Sequence, residues 1–359
     1  MKNINYCVIM AGGIGSRFWP ISTTEKPKQF LDILGVGKSL LQLTFNRFNN
    51  LFPAENIYVV TSQDYQVLVA EQLPEIPETN ILTEPMRRNT APCISYATCR
   101  IKSKIPMANI VVTPADHLII DEEAFRRNIE SGLQFVQNND ALLTIGIKPN
   151  RPDTGYGYIQ IDEAKSKDDT FKRVKTFTEK PNLELANFFL ESGEFHWNAG
   201  IFMWSLKSID NALRTYLPEV HNLFLEGEAL FGTSEERQFI QKVYSECKTI
   251  SIDYGVMERA KNVFSLCAEF GWSDLGTWKS LYENSEKDEA KNVVFNGENL
   301  IVENAYDNII RLPENKQAII KDLEGFIVVD SGEALLICKT ENEQELKESL
   351  NELKRKLDE

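Results

Sequence analysis

The stretch Tyr6-Cys-Val-Ile-Met-Ala-Gly-Gly-Ile-Gly-Ser-Arg17 decides the fold, because an apolar run passes directly into a loop with three glycines. Similar strand-like runs recur at 57–61, 110–113 and 142–147, with helical patterns between them. This alternation is typical of α/β proteins, and we predict a mostly parallel sheet with flanking helices. In such sheets ligands bind beyond the carboxyl ends of the strands, so the glycine loop lies where a ligand is expected.

Two segments between these strands have the spacing of helices. Residues 40–49 form the first, and residues 91–102 form the second, after the capping candidates Asn89 and Thr90. Pro92 is compatible with this second helix because proline is tolerated in a first turn. Both segments support the alternation of strands and helices.

After about residue 288 the pattern changes to short strand-like runs separated by turns. The runs are 292–295, 299–303, 308–311, 317–321, 325–330 and 334–339. The last stretch, 341–357, is rich in Glu, Lys and Leu at helical spacing. We therefore predict a large domain over residues 1–287 and a small β domain, ending in a helix, over residues 288–359.

The composition is that of a folded, acidic protein. Of its 359 residues 42% are hydrophobic, and the net charge is −14. This charge disfavours nucleic acid and anionic membranes as partners, because both require a basic face. No run approaches the roughly 18 apolar residues of a membrane span, and the first ten residues have no export signal. We expect a cytoplasmic enzyme whose small anionic substrate binds in a local basic pocket.

The cysteines agree with this location. They are scattered, with no close pair at metal spacing: Cys7, Cys93, Cys99, Cys247, Cys267 and Cys338. Such a distribution favours buried thiols in a reducing compartment and disfavours disulfides and zinc sites.

The glycine loop supports two interpretations. Gly12, Gly13 and Gly15 can bring bare backbone N–H groups close to phosphate oxygens, and Arg17 adds a positive charge. A tight strand-to-helix turn explains the glycines equally well. The two lysines that flank Pro27 follow soon after the loop, which favours phosphate binding.

Two common nucleotide-binding motifs are excluded. A dinucleotide-binding loop requires a third glycine and an uninterrupted helix, but Phe18 occupies the glycine position and Pro20 follows. The segment Gly37-Lys-Ser39 ends like a P-loop, but Asp32 stands where the first glycine is required. We expect this segment to begin a helix instead.

Two aspartates are candidates for metal binding. Asp116 follows the strand-like run 110–113, and Mg²⁺ typically takes one or two carboxylates together with phosphates and waters. Asp274 lies among small residues between two tryptophans, which is unusual for a purely solvated acid. The alternatives are that Asp116 caps a turn and that Asp274 belongs to an aromatic-packed turn. We expect His117 to be structural.

Four segments are candidates for sugar binding. Gly157 allows close backbone approach, and Glu179 with Lys180 suits sugar hydroxyls and a sugar phosphate, respectively. Asn198 offers an amide beside an aromatic residue and a glycine, and Asp253 lies in a segment that looks buried. Each has a structural alternative. Gly157 would lie in a plain turn, and Glu179 and Lys180 would form an exposed ion pair. Asn198 would lie in a turn that leads into a strand, and Asp253 would stabilise the fold.

Taken together, these segments resemble the mannose-1-phosphate guanylyltransferases, or GDP-mannose pyrophosphorylases, among the sugar nucleotidyltransferases. The resemblance extends over essentially the whole chain. Its carriers are AGGIGSRFWPIS at 11–22, KPKQF at 26–30, EPMRRNTAP at 84–92, PADH at 114–117, EKP at 179–181, WNAGIF at 197–202 and GWSDLG at 271–276.

The resemblance implies roles for individual residues. The nucleotide would be bound by Ala11, Gly12, Gly13, Gly15, Ser16, Arg17, Arg88, Asn89, Thr90, Pro114 and Asp116. The sugar would be bound by Gly157, Glu179, Lys180 and Asn198, and we add Asp253 as a sugar ligand from its own segment. Catalysis would depend on Arg17, Lys26, Asp116 and Lys180, and Mg²⁺ would be held by Asp116 and Asp274. Guanine preference would rest mainly on residues 88–90.

The implied fold is a Rossmann-like nucleotidyltransferase sheet with a short β-helix-like C-terminal domain. The implied reaction joins GTP and mannose 1-phosphate, and a homodimer is expected. Longer family members carry an added isomerase domain, so this chain is expected to be monofunctional. The alternatives are transfer with another triphosphate or hexose 1-phosphate, and a non-catalytic nucleotide-sugar sensor.

Overall fold

The computed structural model describes residues 4–13, 16–163 and 170–358. Its strands are β1 Ile4–Met10, β2 Ile57–Ser62, β3 Ile81–Glu84, β4 Ala108–Pro114, β5 Leu118–Ile119, β6 Leu142–Ile147, β7 Tyr158–Asp162, β8 Phe171–Thr178, β9 Phe195–Ser205, β10 Val263–Ala268, β11 Trp272–Ser273, β12 Val293–Phe295, β13 Leu300–Glu303, β14 Ile309–Arg311, β15 Ala318–Lys321, β16 Phe326–Asp330 and β17 Leu335–Lys339. Its helices are α1 Leu40–Asn49, α2 Gln66–Gln72, α3 Thr90–Lys104, α4 Glu122–Asn138, α5 Leu183–Ser192, α6 Leu206–Tyr216, α7 Pro218–Leu225, α8 Glu236–Glu246, α9 Trp278–Glu283 and α10 Leu346–Asp358.

The chain forms two compact units that interleave along the sequence. The first comprises the residues up to Gly12, Thr44–Ala115 and Ile119–Trp272. The second comprises Gly13–Leu43, Asp116–Leu118 and the residues from Ser273 onward. These units are defined by packing and not by chain order, so the domain boundary at residue 288 stays a prediction.

The first unit is built on a nine-stranded sheet with the order β3-β2-β1-β4-β9-β6-β10-β8-β7. Strands β3, β2, β1 and β4 are parallel, as are β6 and β10. Strand β1 reads as an unbroken apolar run because its central residues are covered on both faces, and Cys7, Val8 and Ile9 are buried. The carboxyl ends of β1 and β4 lie side by side, with Met10 opposite Pro114.

The predicted α/β architecture is confirmed, but the sheet is mixed and not mostly parallel. Strand β9 runs antiparallel to β4, β6 and β7, and β8 runs antiparallel to β7 and β10. The four sequence runs that suggested a parallel sheet did not include β7, β8 or the full length of β9. Those strands are interrupted in sequence by polar and glycine residues, and long-range pairing stabilises them instead.

Local sequence signals explain the helix that follows β3. Helix α3 begins at Thr90, one residue before the predicted start, because the Asn89 side chain accepts a hydrogen bond from the Thr90 backbone N–H at 2.8 Å. Asn89 has a φ of 68°, a left-handed conformation that asparagine adopts more readily than most residues. Helix α1 has the bounds that its spacing predicted.

The second unit contains the C-terminal strands, and all six predicted runs are strands. Alternate strands pair with one another: β12, β14 and β16 are parallel neighbours, and so are β13 and β15. Strand β17 pairs antiparallel with β16 at the edge of the first of these sheets. The buried Asn292 and Asn308 stack in successive layers, where the Asn308 amide donates to Asn292 Oδ1 at 3.0 Å.

Residues 13–43 belong to this second unit because they share its apolar core. Phe18, Ile33 and Leu40 are buried with Trp278 and Ile327. The Phe18 ring meets the Trp278 ring edge-on at 4.9 Å. The segment that follows the glycine loop is therefore fixed by C-terminal residues. No helix in the described ranges is long and apolar enough to cross a membrane.

Candidate active site

The start of the glycine loop is fixed by the strand ends of the first unit. The Ala11 N–H donates to the Val60 carbonyl at 2.8 Å, and Thr61 Oγ1 donates to the Ala11 carbonyl at 3.0 Å. Beside it, the Ala115 N–H donates to the Met10 carbonyl at 3.0 Å. Ala11 and Pro114, both predicted to bind nucleotide, thus lie at neighbouring strand ends.

The rest of the glycine loop belongs to the second unit. The Gly13 carbonyl accepts a hydrogen bond from Gln29 Nε2 at 2.7 Å. Gly15 lies outside the described residues. Ser16 begins the 3₁₀ turn Ser16–Phe18, and the side chain of Arg17 in this turn is exposed. Arg17 is therefore available to an anion.

Lys28 connects the two aspartates that were predicted to bind metal. Its Nζ lies 3.1 Å from Asp116 Oδ2 and donates to the carbonyl oxygens of Asp274 at 2.9 Å and Leu275 at 3.0 Å. Lys28 is buried, whereas Lys26 is exposed. Lys28 begins the 3₁₀ turn Lys28–Phe30 after Pro27, and its buried side chain is held by partners more than 80 residues further along the chain.

The carboxylates of Asp116 and Asp274 are held in different ways. Burial raises the pKa of Asp116, but attraction to Lys28 and His117 outweighs it, and the pKa lies below its ordinary value. Asp274 Oδ1 accepts a hydrogen bond from the Gly276 N–H at 2.9 Å. A Cβ added to Gly276 would lie 2.6 Å from Asp274 Oδ2, so a larger residue here would displace this carboxylate.

In the first unit, the predicted sugar-binding residues lie together around Asn198. The Asn198 amide donates to Asp253 Oδ1 at 2.8 Å, and its Oδ1 accepts from Thr144 Oγ1 at 2.9 Å and from the Gly200 N–H at 3.2 Å. The Asn198 N–H donates to the Gly157 carbonyl at 2.8 Å. These bonds fix the amide and leave one of its N–H groups for a ligand.

Glu179 and Lys180 complete this cluster. A Cβ added to Gly157 would lie 2.7 Å from Glu179 Oε2, so the glycine makes room for the carboxylate. Lys180 Nζ lies 3.5 Å from Glu179 Oε1, and the lysine side chain is mostly exposed. Lys180 has a φ of 44°, a left-handed conformation that is uncommon for lysine and stores backbone strain at this site.

The acids of the cluster repel one another. The pKa of Asp253 is raised to about 6. Burial is the largest cause and repulsion from Glu179 adds to the rise, while the hydrogen bond from Asn198 lowers the pKa. Burial and repulsion from Glu179 also raise the pKa of Glu258. A ligand with hydroxyl groups suits such a cluster because hydroxyls both donate to carboxylates and accept from protonated carboxyls.

Residues 88–90 make bonds within the first unit. Arg88 Nε donates to the Tyr244 carbonyl at 2.9 Å, near the C-terminal end of α8, where cations are favourable. Thr90 Oγ1 accepts from the Ile252 N–H at 2.8 Å. The Arg88 guanidinium thus holds a helix end, and a direct contact with a base stays a prediction.

Comparisons with known proteins identify the family of the chain. The profile of the family described as nucleotidyl transferase matches residues 6–291. The chain belongs to the nucleotidyl transferase family. Its match covers the glycine loop, both metal candidates and the whole Asn198 cluster.

Within this family, the chain is similar to mannose-1-phosphate guanylyltransferases. One from Escherichia coli is 34% identical over 355 residues, covering 96% of this chain and 75% of that protein. One from Salmonella montevideo is 36% identical over 356 residues, covering 97% and 73%. The structure of a mannose-1-phosphate geranyltransferase from Thermus thermophilus has a TM-score of 0.87 at 29% identity, covering 99% of this chain and 100% of that one. The resemblance inferred from the motifs is confirmed.

Nucleotidyl transferases of this family generally use a divalent metal, and the second unit has fitting ligands. Asp116 and Asp274 offer hard oxygen donors, and both residues are bound to Lys28. Among the described residues no group of three or more His, Cys, Asp or Glu side chains forms a metal site. Two carboxylates match a cation whose other ligands are phosphate oxygens and waters.

Sequence reasoning gave no role to two buried residues that lie beside predicted site residues. Lys28 was noted beside Pro27, but only Lys26 was given a role. Glu84 is buried at the end of β3, where Tyr244 donates to its Oε1 at 2.9 Å, and burial raises its pKa to about 7. A Cβ added to Gly12 would lie 3.4 Å from Glu84 Oε2. The signal was an acid directly after an apolar run, the same signal that identified Asp116.

Proposed function

We propose that this nucleotidyl transferase transfers GMP from GTP to α-D-mannose 1-phosphate, giving GDP-mannose and pyrophosphate. The observation that best supports nucleotidyl transfer is the position of the Lys28 ammonium. This buried lysine follows the glycine loop in sequence and is bound to the Asp116 carboxylate and to the Asp274 carbonyl. The choice of substrates rests on the names of the Escherichia coli and Salmonella relatives.

The proposed triphosphate ligands are the glycine-loop backbone and Arg17. The exposed Arg17 guanidinium suits phosphate oxygens because its fork of N–H donors matches their geometry. For the departing pyrophosphate, Lys28 is a better candidate than the exposed Lys26, because Lys28 already touches Asp116. Lys28 also keeps the Asp116 carboxylate ionised.

The proposed divalent cation is Mg²⁺, with Asp116 and Asp274 as its protein ligands. When bound, it would neutralise the phosphate charge that accumulates during transfer. The turn at Gly276 holds the Asp274 carboxylate in one orientation, and Lys28 does the same for Asp116. Both carboxylates would therefore be positioned before the substrates bind.

For mannose 1-phosphate, the Asn198 cluster supplies the ligands. Glu179, Asp253 and the remaining Asn198 N–H would meet the hydroxyl groups, and Gly157 leaves space for the Glu179 carboxylate. The exposed Lys180 ammonium would hold the sugar phosphate.

In the proposed step, an oxygen of the sugar phosphate attacks the α-phosphorus of GTP. The bond from this phosphorus to the bridging oxygen breaks, and its electron pair leaves with pyrophosphate. No protein nucleophile is required, so the residues contribute positioning and charge neutralisation.

The test is pyrophosphate release with mannose 1-phosphate and each of the four nucleoside triphosphates. We expect GTP to have the highest kcat/KM, and glucose 1-phosphate to react more slowly than mannose 1-phosphate. Preference for another triphosphate would overturn the guanylyl assignment, and failure to release pyrophosphate with any pair would overturn nucleotidyl transfer.

We further propose finer features of the fold. The parallel strands β3, β2, β1 and β4 support a Rossmann-like half of the sheet. The alternating parallel pairs of the C-terminal strands support a short β-helix-like coil.

The proposed setting is a cytoplasmic homodimer with no nucleic-acid or membrane partner. The net charge of −14 and the six free cysteines support this location and these partners. Light scattering of the purified chain tests the dimer, for which we expect about twice the chain mass of 41.0 kDa.

A further inference from the structure

A cavity of about 300 Å³ lies within the second unit, next to the glycine-loop arginine. It is lined by Arg17, Thr277, Glu343, Gln344, Leu346 and Lys347. The last four residues belong to the C-terminal segment, which the sequence predicted only as a helix. The C-terminal segment thus lines the same cavity as Arg17, a proposed triphosphate ligand.

Three contacts hold this cavity in shape. The edge-on contact between Phe18 and Trp278 fixes the turn that carries Arg17 against α9. Glu343 Oε2 accepts a hydrogen bond from the Lys279 N–H at 3.1 Å, which ties the C-terminal segment to the start of α9. Helix α10 itself contacts the turn Ser16–Phe18.

The charges around the cavity favour an anion. In the part of the chain that the structure describes, neither Arg17 nor Lys347 has an acidic side chain within 4.0 Å. Glu343 is the acidic residue among those that line the cavity. Its carboxylate accepts hydrogen bonds from the Thr277 side chain and from the backbone of Trp278 and Lys279. Two cations therefore face the cavity, while its carboxylate is engaged by donors at the start of α9.

We infer that this cavity binds one phosphoryl group of the pyrophosphate leaving group, and that Lys347 contacts its oxygens together with Arg17. The other phosphoryl group is the one proposed for Lys28, which lies outside the cavity lining. The inference rests on the proposed function, which assigns Arg17 to the triphosphate. A cavity of this size is at the lower end of the range for organic ligands and suits a small ion better than a whole nucleotide sugar.

Lys347 contributes most when negative charge moves to the leaving group. As the α-phosphorus bond breaks, its electron pair moves onto the bridging oxygen, and pyrophosphate gains charge. A cation that faces this group stabilises the charge as it develops. The same cation binds free pyrophosphate, which is the substrate when the reaction runs in reverse.

The experiment compares the full-length Lys347→Ala variant with wild type in both directions. We expect the KM for pyrophosphate, with GDP-mannose as co-substrate, to rise about tenfold, as loss of one charge-assisted hydrogen bond predicts. The KM values for GDP-mannose and mannose 1-phosphate should not change. Lys347→Arg should restore pyrophosphate binding, because it keeps the charge.

The matched control is Arg355→Ala, which removes an exposed cation from the same helix but outside the cavity. It should leave all KM values unchanged. Thermal unfolding of each variant checks that α10 still docks, and Lys347→Glu provides a second variant with a larger expected loss.

A binding measurement separates this inference from the proposed function. Titration calorimetry with inorganic pyrophosphate should show weaker binding by Lys347→Ala than by wild type or Arg355→Ala. Equal binding by all three would overturn the anion site, even if the wild type makes GDP-mannose. Conversely, Lys347-dependent binding by a chain that transfers no nucleotide would support the site and overturn the proposed function.

Discussion

Asp116 in the second unit and Asp253 in the first are the same residue type in opposite electrostatic surroundings. Lys28 and His117 attract Asp116 strongly enough to lower its pKa in spite of burial. Asp253 has acids and an amide around it, and burial with repulsion from Glu179 raises its pKa to about 6. The first environment maintains the permanent charge that a cation requires, whereas the second suits hydrogen bonding to hydroxyl groups.

The largest expected effect comes from removing the permanent charge. Asp116→Asn should lower kcat about 10²- to 10³-fold, the range found when a group that stabilises transition-state charge is removed. Assays at saturating GTP, mannose 1-phosphate and Mg²⁺ measure it. Asp140→Asn, at an exposed site, is the control. A variant of Asp116 with wild-type kcat would show that this carboxylate holds no metal.

The lysine that sets the charge of Asp116 is the next target. Lys28→Met should lower kcat about 100-fold, because it leaves the Asp116 carboxylate unpaired and removes a phosphate ligand. Lys26→Met should change kcat less than about threefold, because among the described residues it is Lys28, and not Lys26, that contacts Asp116 and the Asp274 turn. Circular dichroism and thermal unfolding verify that both variants fold. If Lys26→Met lowers kcat more than Lys28→Met does, Lys26 and not Lys28 has the catalytic role.

On the sugar side, Gly157→Ala tests the space beside Glu179. The added methyl group would lie 2.7 Å from Glu179 Oε2 and force this carboxylate to move. We expect the KM for mannose 1-phosphate to rise about tenfold, as loss of one hydrogen bond to a charged group predicts. The KM for GTP should stay the same. If both KM values rise together, Gly157 supports the fold and not sugar binding.

The smallest effect is on stability. Because the pKa of Asp253 is raised in the folded state, the folded chain holds a proton that the unfolded chain has released between about pH 4 and 6. Stability should therefore decrease as pH rises through this window, by about 1 kcal/mol after allowance for water near the site. Urea unfolding of wild type and Asp253→Asn measures the difference, which should be constant above pH 7. No difference across the window would contradict the raised pKa.

Sequence alone predicted the elements whose signals are local. Helix α1 and the six C-terminal strands follow from spacing and turn residues, and the N-cap at Asn89 follows from residue type. The Asn198 cluster was also predicted, because motif resemblance identifies residues independently of their distance along the chain.

The parts that were missed depend on long-range contacts. Lys28 binds the carbonyl oxygen of Asp274, 246 residues further along, and nothing near Pro27 distinguishes Lys28 from Lys26. The antiparallel course of β9 depends on its pairing with β4 and β6, whose paired residues are at least 50 positions away. Burial and pairing of this kind are properties of the folded chain and not of a sequence window.

The interleaved second unit has a consequence for synthesis of the chain. Phe18 and Leu40 pack with Ile309 and Ile327, so the glycine-loop segment lacks its packing partners until the C-terminal strands have been made. At typical translation rates, the delay between Leu43 and Ser273 is roughly 10 to 50 seconds. Ribosome-bound chains that end before residue 300 should carry a protease-sensitive loop on an otherwise formed sheet. Catalytic competence would be the last property that the nascent chain acquires.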